Sequence, residues 1–271
     1  MREQYQLLGL ALAFYTASLI FSIWRLAMGQ PYRRWPKLVL VLPGFALHTG
    51  ALLARGLAEG RCPVSNLFET LTFVAWCLVA LHLTVVFLMK MQYLTPFSMP
   101  VVLVIQMAAF LTPVNPPRPE PFGTRLLVGM HASVIMLGYA AFGLAAVVGL
   151  MYLVQERQLR TRRLSSQFML LPPILRLETL QKWLLLGGFA LLTFGLASGF
   201  IGLSGFRESL FQADWKVLWS IAVWSLYLIL VVGRNRWGLT GRRMAWLSIA
   251  GCLFVIGTFW LSNHLSHFHQ Y

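Results

Sequence analysis

The sequence predicts an all-α protein, a polytopic transmembrane bundle of about eight helices with both termini on the outer side of the membrane. Hydrophobic residues fill 58% of the 271 positions and charged residues only 11%, whereas soluble domains carry about 25% charged residues. Apolar runs of roughly 20 residues, the length of a membrane-spanning helix, recur along the whole chain. Basic residues are concentrated in alternate connecting segments. Together these observations predict one integral membrane domain, residues 1–271, with no soluble domain.

Eight segments have the length and apolar character of a span. The first, Tyr5 to Gly29, is too long and too aromatic for a cleaved signal peptide, so we interpret it as a retained helix. The fourth is short and has Pro96 and Pro100 near its start, where proline is tolerated. The predicted helices are 5–28, 37–57, 66–90, 97–113, 128–155, 179–203, 215–234 and 243–264.

The distribution of basic residues predicts the orientation. Most of the 22 Lys and Arg residues follow the first, third, fifth and seventh predicted helices. The segment Glu156 to Glu178 is the most basic of these, and loops rich in Lys and Arg stay on the cytoplasmic side. We therefore attribute the net charge of +14 to loops that set the orientation of the chain in the membrane, and we expect no nucleic-acid partner. An even number of helices agrees with both termini lying outside.

The sequence lacks the usual signs of an enzyme or a transporter. Its cysteines, Cys62, Cys77 and Cys252, are dispersed and form no Cys-x-x-Cys pair. We find no nucleophile–base pair and no cluster of metal ligands. Nor do two halves of the chain carry interrupted helices at matching positions, as in many transporters. We therefore expect a protein that is not itself an enzyme, at most an accessory of one.

Histidine is the residue type that points to chemistry. His48 lies within a predicted helix, roughly 16 Å along its axis, and His131 lies at the outer start of the fifth helix. His264, His267 and His269 end the chain on the same predicted face. Ionisable residues in a membrane often mark function, and imidazole is a common axial ligand of haem iron. His131 and a C-terminal histidine could hold one metalloporphyrin, or they could be solvated interfacial residues. His48 could be a ligand, a proton relay or a packing partner.

Several motifs resemble one known family. Pro63 to Thr70 reads P-V-S-N-L-F-E-T and is followed by Trp76; it is similar to a family segment P-x-S-N-L-Y-E-S with its following tryptophan. His131-Ala132-Ser133, Asp214-Trp215-Lys216 and the chain end His269-Gln270-Tyr271 also resemble family motifs. In these residues the chain resembles the CcsA/HemX/YpjD branch of the cytochrome c assembly family, whose better-known members carry or bind haem at the outer face of the inner membrane.

Two departures from the family pattern bear on function. The haem-facing motif W-G-x-x-W-x-W-D would end at Asp214, but its other positions hold Arg207, Glu208, Phe211 and Ala213. Tryptophans there would stack on a porphyrin, so the resemblance implies a differently built haem platform. The family also has a second intramembrane histidine, and at its expected position, around Val232 or Gly233, this chain has none. His48 matches the first of the two.

The resemblance implies a haem-binding or haem-trafficking protein of cytochrome c assembly in the bacterial inner membrane. The implied cofactor is non-covalent haem b, with His131 and His269 as axial ligands of the iron. Asp214, Phe211 and His48 are the other candidate haem-binding residues. Expected partners are the lipid bilayer, haem, apocytochrome c and other maturation subunits. The alternative is a HemX-type membrane regulator or scaffold that acts on an enzyme of haem biosynthesis.

Overall fold

The computed structural model describes residues 2–29, 35–91, 93–112, 125–161, 171–204 and 215–265. These ranges contain eight helices and no strand, so the predicted helix number and the all-α class are confirmed. The helices are α1 Arg2–Ala27, α2 Trp35–Glu59, α3 Leu67–Met89, α4 Thr95–Leu111, α5 Arg125–Thr161, α6 Ile174–Ser204, α7 Trp215–Arg236 and α8 Gly241–Leu265.

α5 and α6 extend furthest beyond the ranges that the hydropathy pattern indicated. α5 has 37 residues, about 55 Å at 1.5 Å per residue, and continues six residues beyond the predicted end at 155. α6 begins at Ile174, five residues before its predicted start. The added turn of α5 is mostly polar, and in it Arg160 lies 2.8 Å from Glu156 one turn earlier. The added residues of α6 mix apolar and charged side chains, among them Ile174, Arg176 and Leu177. Hydropathy detects only the part of a helix that lies in lipid, because polar turns beyond the membrane remain helical without being apolar.

The helices have the dimensions of membrane spans. Six of them are long and apolar enough, by length and composition, to cross a bilayer: α1, α2, α3, α5, α6 and α7. α4 is also apolar but has only 17 residues. The protein is therefore a multi-pass membrane protein. The side on which each terminus lies stays a prediction.

α5 organises the bundle and places the candidate site. It packs against α3, α4, α6 and α8, while α1 and α2 pack against each other. The α5–α6 contact is close because glycines of α6 face α5. A methyl group at Gly195 would overlap the side chain of Ile135, and one at Gly199 would lie 2.6 Å from the His131 ring. Glycines four residues apart let two helices approach closely, and here they bring the α6 backbone against His131.

Candidate functional site

His131 lies in the second turn of α5, half-buried against α6. Its Nδ1 is 2.8 Å from the carbonyl oxygen of Gly195 and 3.3 Å from the hydroxyl oxygen of Ser198. The Ser198 hydroxyl itself donates to the Gly195 carbonyl at 2.7 Å. Because Gly199 has no side chain, the imidazole can lie against the helix at this point. The ring is thus held at one nitrogen by the backbone of the neighbouring helix.

This contact fixes the chemical form of the imidazole. A carbonyl oxygen can only accept, so Nδ1 must carry the proton in the bond to Gly195. In a neutral ring, the lone pair then lies on Nε2. Histidines that bind metals commonly donate their other ring N–H to a backbone carbonyl in this way, which orients the ring and raises its basicity. The contact of His131 with the Gly195 carbonyl has the same form.

The other residues predicted for the outer site cannot be placed beside it. His269, Asp214 and Phe211 lie outside the described residues. Within the described part of the chain, no group of three or more His, Cys, Asp or Glu side chains forms a metal site. An axial haem site does not need such a cluster, because the porphyrin supplies four ligands and the protein one or two.

His48 lies on α2, fully enclosed between helices, with 0% of its side chain exposed. Its Nδ1 is 3.4 Å from the hydroxyl oxygen of Tyr15 on α1. The backbone of Thr72 lies near the ring, but Nε2 has no partner with hydrogen-bond geometry. His48 therefore faces a tyrosine, and α1, α2 and α3 pack around it. A porphyrin could reach His48 only if these helices moved apart.

A buried charge cluster near the start of α3 was not anticipated. Glu69 has 1% of its surface exposed and Arg55 5%. Arg55 Nε donates to Glu69 Oε1 at 2.6 Å, and Arg61 donates to both carboxylate oxygens, at 3.0 and 3.1 Å. Glu59 extends the network, 3.8 Å from Arg55 and 3.5 Å from Arg61. Two arginines and two glutamates thus join α2, the α2–α3 turn and α3.

The cluster explains the motif Pro63 to Thr70 in physical terms. Asn66 is the N-cap of α3, and its side chain accepts the backbone N–H of Glu69 at 2.9 Å. The Glu69 carboxylate accepts the backbone N–H of Ser65 at 2.8 Å, while Arg61 also donates to the Ser65 hydroxyl at 2.6 Å. A capping asparagine followed three residues later by a glutamate is a helix-start signal. Sequence reasoning found the motif, but not the arginines that pair with it.

The α2–α3 turn also contacts the start of α5. Cys62 Sγ lies 3.4 Å from Ser133 Oγ, and a methyl group at Gly129 would lie 2.7 Å from Cys62 Cβ. Ser133 is two residues from His131, so the charge cluster and the oriented histidine lie at the same end of the bundle. His82 has a separate, structural contact, since its Nδ1 is 2.9 Å from the hydroxyl of Ser98 on α4.

The sequence of the chain places this helix bundle in a known class of membrane protein. A sequence model described as "Cytochrome C assembly protein" matches residues 64–269. The chain therefore belongs to the cytochrome c assembly protein family, as its motifs indicated.

Individual relatives cover most of the chain. It is 30% identical over 287 residues to the cytochrome c biogenesis protein CcsA of Synechococcus sp. (strain RCC307), covering 96% of this chain and 92% of the relative. A CcsA protein of Prochlorococcus marinus (strain NATL1A) is 29% identical over 92% of this chain and 88% of its own length. Protein HemX of Brevibacillus brevis is 28% identical over 73% of each chain.

Proposed function

We propose that this protein binds haem at the outer face of the bacterial inner membrane and handles it during cytochrome c assembly. The observation that carries the proposal is the hydrogen bond from His131 Nδ1 to the Gly195 carbonyl, which leaves the lone pair of a neutral ring on Nε2. Family membership supplies the context, since the relatives named above include cytochrome c biogenesis proteins. The oriented imidazole and the family membership together favour His131 Nε2 as a ligand of haem iron.

In this proposal the chain binds and orients haem, and haem is itself the group that is joined to the apocytochrome. His131 and His269 would hold the haem iron, and Asp214 and Phe211 would contact the porphyrin. The α2–α3 turn contacts the start of α5 through Cys62 and Ser133, so the charge cluster supports the helix that carries His131. Covalent attachment would take place on apocytochrome c, to which this chain would contribute the binding and orientation of haem instead of turnover.

The direct test is the absorption spectrum of protein purified from haem-replete cells in mild detergent, read as reduced-minus-oxidised and pyridine haemochrome spectra. We expect a b-type signal that His131→Ala and His269→Ala each diminish and that the double variant abolishes. His82→Asn is the matched control, because it removes an imidazole that contacts Ser98 instead. A protein without haem, or a signal equal in the double variant and wild type, would refute the proposal.

A second pair of variants tests the orientation of His131 without removing it. In Gly199→Ala the new methyl group would lie 2.6 Å from His131 Cε1, so the ring must move and we expect haem occupancy to fall or the Soret maximum to shift. Gly187→Ala is the control on the same helix, since nothing lies within 4 Å of its new methyl group. Equal spectra for both variants would show that the contact with α6 does not orient a ligand.

The alternative is a HemX-type regulator or scaffold that acts on an enzyme of haem biosynthesis. Two observations favour it: the similarity to Protein HemX over 73% of this chain, and the replacement of the family's tryptophans by Arg207, Phe211 and Ala213. This alternative predicts that deletion of the gene changes the level of an early haem-pathway enzyme while cytochrome c remains normal. The proposal above predicts the reverse, a loss of mature cytochrome c with that enzyme unchanged.

A further inference from the structure

A shallow, open groove runs along the surface of α8 and lies beside α7 over part of its length. At its inner end, where α8 begins on the predicted cytoplasmic side, it has a volume of about 420 Å³ and is lined by Leu239 of the α7–α8 connection and by Arg242, Arg243, Trp246 and Leu247 of α8. From Leu247 a second stretch of about 370 Å³ continues between the helices, lined by Leu226, Leu230, Ala250 and Phe254 among others. Leu247 belongs to both stretches, so the two adjoin: the stretch at the start of α8 contains the arginines, and the second stretch is apolar.

The dimensions of the groove correspond to one leaflet of a bilayer. Arg242 and Phe254 are twelve residues apart on α8, which is about 18 Å along the axis. The hydrocarbon core of a bilayer is about 30 Å thick, so one leaflet is about 15 Å. The groove as a whole, from the arginines to Phe254, therefore has about the depth of one leaflet, and the arginines lie at the end where a headgroup would be.

The charge at the inner end favours an anion. Arg243 is exposed and forms no ion pair with any carboxylate of the described residues. Arg242 is 57% exposed and lies 4.0 Å from Glu156, which is closer to Arg160 at 2.8 Å. The same end of the bundle carries further basic residues at the end of α7, Arg234 and Arg236. Basic pockets between helices on the cytoplasmic side recognise anionic lipid headgroups.

We propose that the α7–α8 groove is a specific binding site for an anionic phospholipid of the inner leaflet. The phosphate would be held by Arg242 and Arg243, and one acyl chain would lie along Leu247, Ala250 and Phe254. Trp246, 55% exposed, stands beside the arginines at the depth where tryptophan prefers the membrane interface. This lipid would fill the seam between α7 and α8.

Competitive lipid retention tests the site. Wild-type protein in mild detergent is incubated with equal amounts of phosphatidylglycerol and phosphatidylcholine of identical acyl chains, and the bound lipids are counted by native mass spectrometry. We expect phosphatidylglycerol to be retained about 25-fold over phosphatidylcholine, since each of the two arginines near an anionic headgroup contributes about a factor of five. Equal retention of the two lipids by the wild type would overturn the proposal.

Three variants separate a built site from a general attraction to a basic surface. Arg242→Gln with Arg243→Gln should bring the preference close to one. Arg157→Gln with Arg176→Gln removes two exposed charges of α5 and α6 that do not line the groove, and should leave the preference unchanged. Ala250→Trp fills the apolar stretch and should lower retention of both lipids. An equal loss in the two arginine pairs, or full retention in Ala250→Trp, would show that no lipid is seated between α7 and α8.

Discussion

Glu69 lies at the centre of a buried network of ion pairs in the described structure. Its side chain is fully buried, and Arg55 and Arg61, with side chains 5% and 8% exposed, both donate to it. Taking charges out of water is costly, and the attraction offsets that cost only when geometry and hydrogen bonding are good. Here both carboxylate oxygens accept from a guanidinium and one also accepts from the Ser65 backbone. The Glu69 carboxylate is therefore satisfied at both oxygens, and removing it leaves two buried guanidinium groups without this partner.

We expect Glu69→Gln to destabilise the protein by about 3–5 kcal/mol, because two buried guanidinium groups lose their anionic partner. The measurement is unfolding in mixed micelles with increasing SDS. Glu156→Gln is the control: its partner Arg160 is 66% exposed, and such pairs contribute about 0–1 kcal/mol. If the two variants lost the same stability, the buried cluster would contribute no more than a surface ion pair.

Among single residues, the sequence predicts His131 but not the arginines of the charge cluster, because the arginines pair with a residue that is distant in sequence. His131 can be selected because a histidine at the membrane boundary is unusual and the following residues match a family motif. Arg55 and Arg61 are missed because their partner, Glu69, lies 14 and 8 residues away, and no local pattern pairs them. One signal was available. Both arginines lie on the predicted outer side, where the positive-inside rule disfavours basic residues, so they require a local explanation.

At the level of single helices, the structure adds what hydropathy leaves out. The eight apolar runs were sufficient to find eight helices, since a bilayer requires every backbone polar group to be satisfied within its own segment. The polar end of α5 was not found, because outside lipid a helix needs no apolar run. The start of α6 was missed as well, because charged residues interrupt its apolar ones. The start of α3 was placed to within one residue, since Asn66 and Glu69 form a helix-start signal in the sequence.

We expect Asn66→Ala to cost about 1 kcal/mol, because the backbone N–H of Glu69 loses the acceptor that caps α3. Asn235→Ala is the matched control, an exposed asparagine near the end of α7 where the substitution should cost nothing or stabilise slightly, since alanine is the better helix former. Both are measured by the same SDS titration. A loss in the Asn235 variant as large as that in the Asn66 variant would indicate that capping does not account for the effect.

For the molecule as a whole, topology depends on α4. This helix has 17 residues, about 25 Å at 1.5 Å per residue, which is shorter than a hydrocarbon core of about 30 Å. It nevertheless packs against α3, α1 and α5 and buries Ser98 and Gln106 against the bundle, so its polar residues face protein. With α4 as a span the chain crosses eight times and both termini lie on one side. Without it the crossings would be seven, and the termini would lie on opposite sides.

The positive-inside rule, applied to the basic residues at the helix ends, favours eight crossings over seven. The ends of α5, α6, α7 and α8 that meet at one end of the bundle carry Glu156 and Glu178 against eight basic residues, namely Arg157, Arg160, Arg176, Lys182, Arg234, Arg236, Arg242 and Arg243. This end is held together by contacts such as Arg242 with Glu156 and Arg234 with the Glu178 carbonyl. With eight crossings, this basic end of the bundle and the basic α1–α2 connection would both lie in the cytoplasm. With seven crossings, the two would lie on opposite sides of the membrane.

We therefore expect an alkaline phosphatase fused after Tyr271 to be active, because that enzyme folds only outside the cytoplasm, and a fusion within residues 162–170 to be inactive. A fusion before Met1 behind an export signal should also be active, since both termini are predicted to lie on the outer side. Green fluorescent protein at the same three positions should give the opposite pattern. An active phosphatase within 162–170 together with an inactive one after Tyr271 would mean that α4 does not span, and would place the start of α5, with His131, on the cytoplasmic side. The proposed outer haem site would then be on the wrong face of the membrane, so this experiment tests the site as well as the topology.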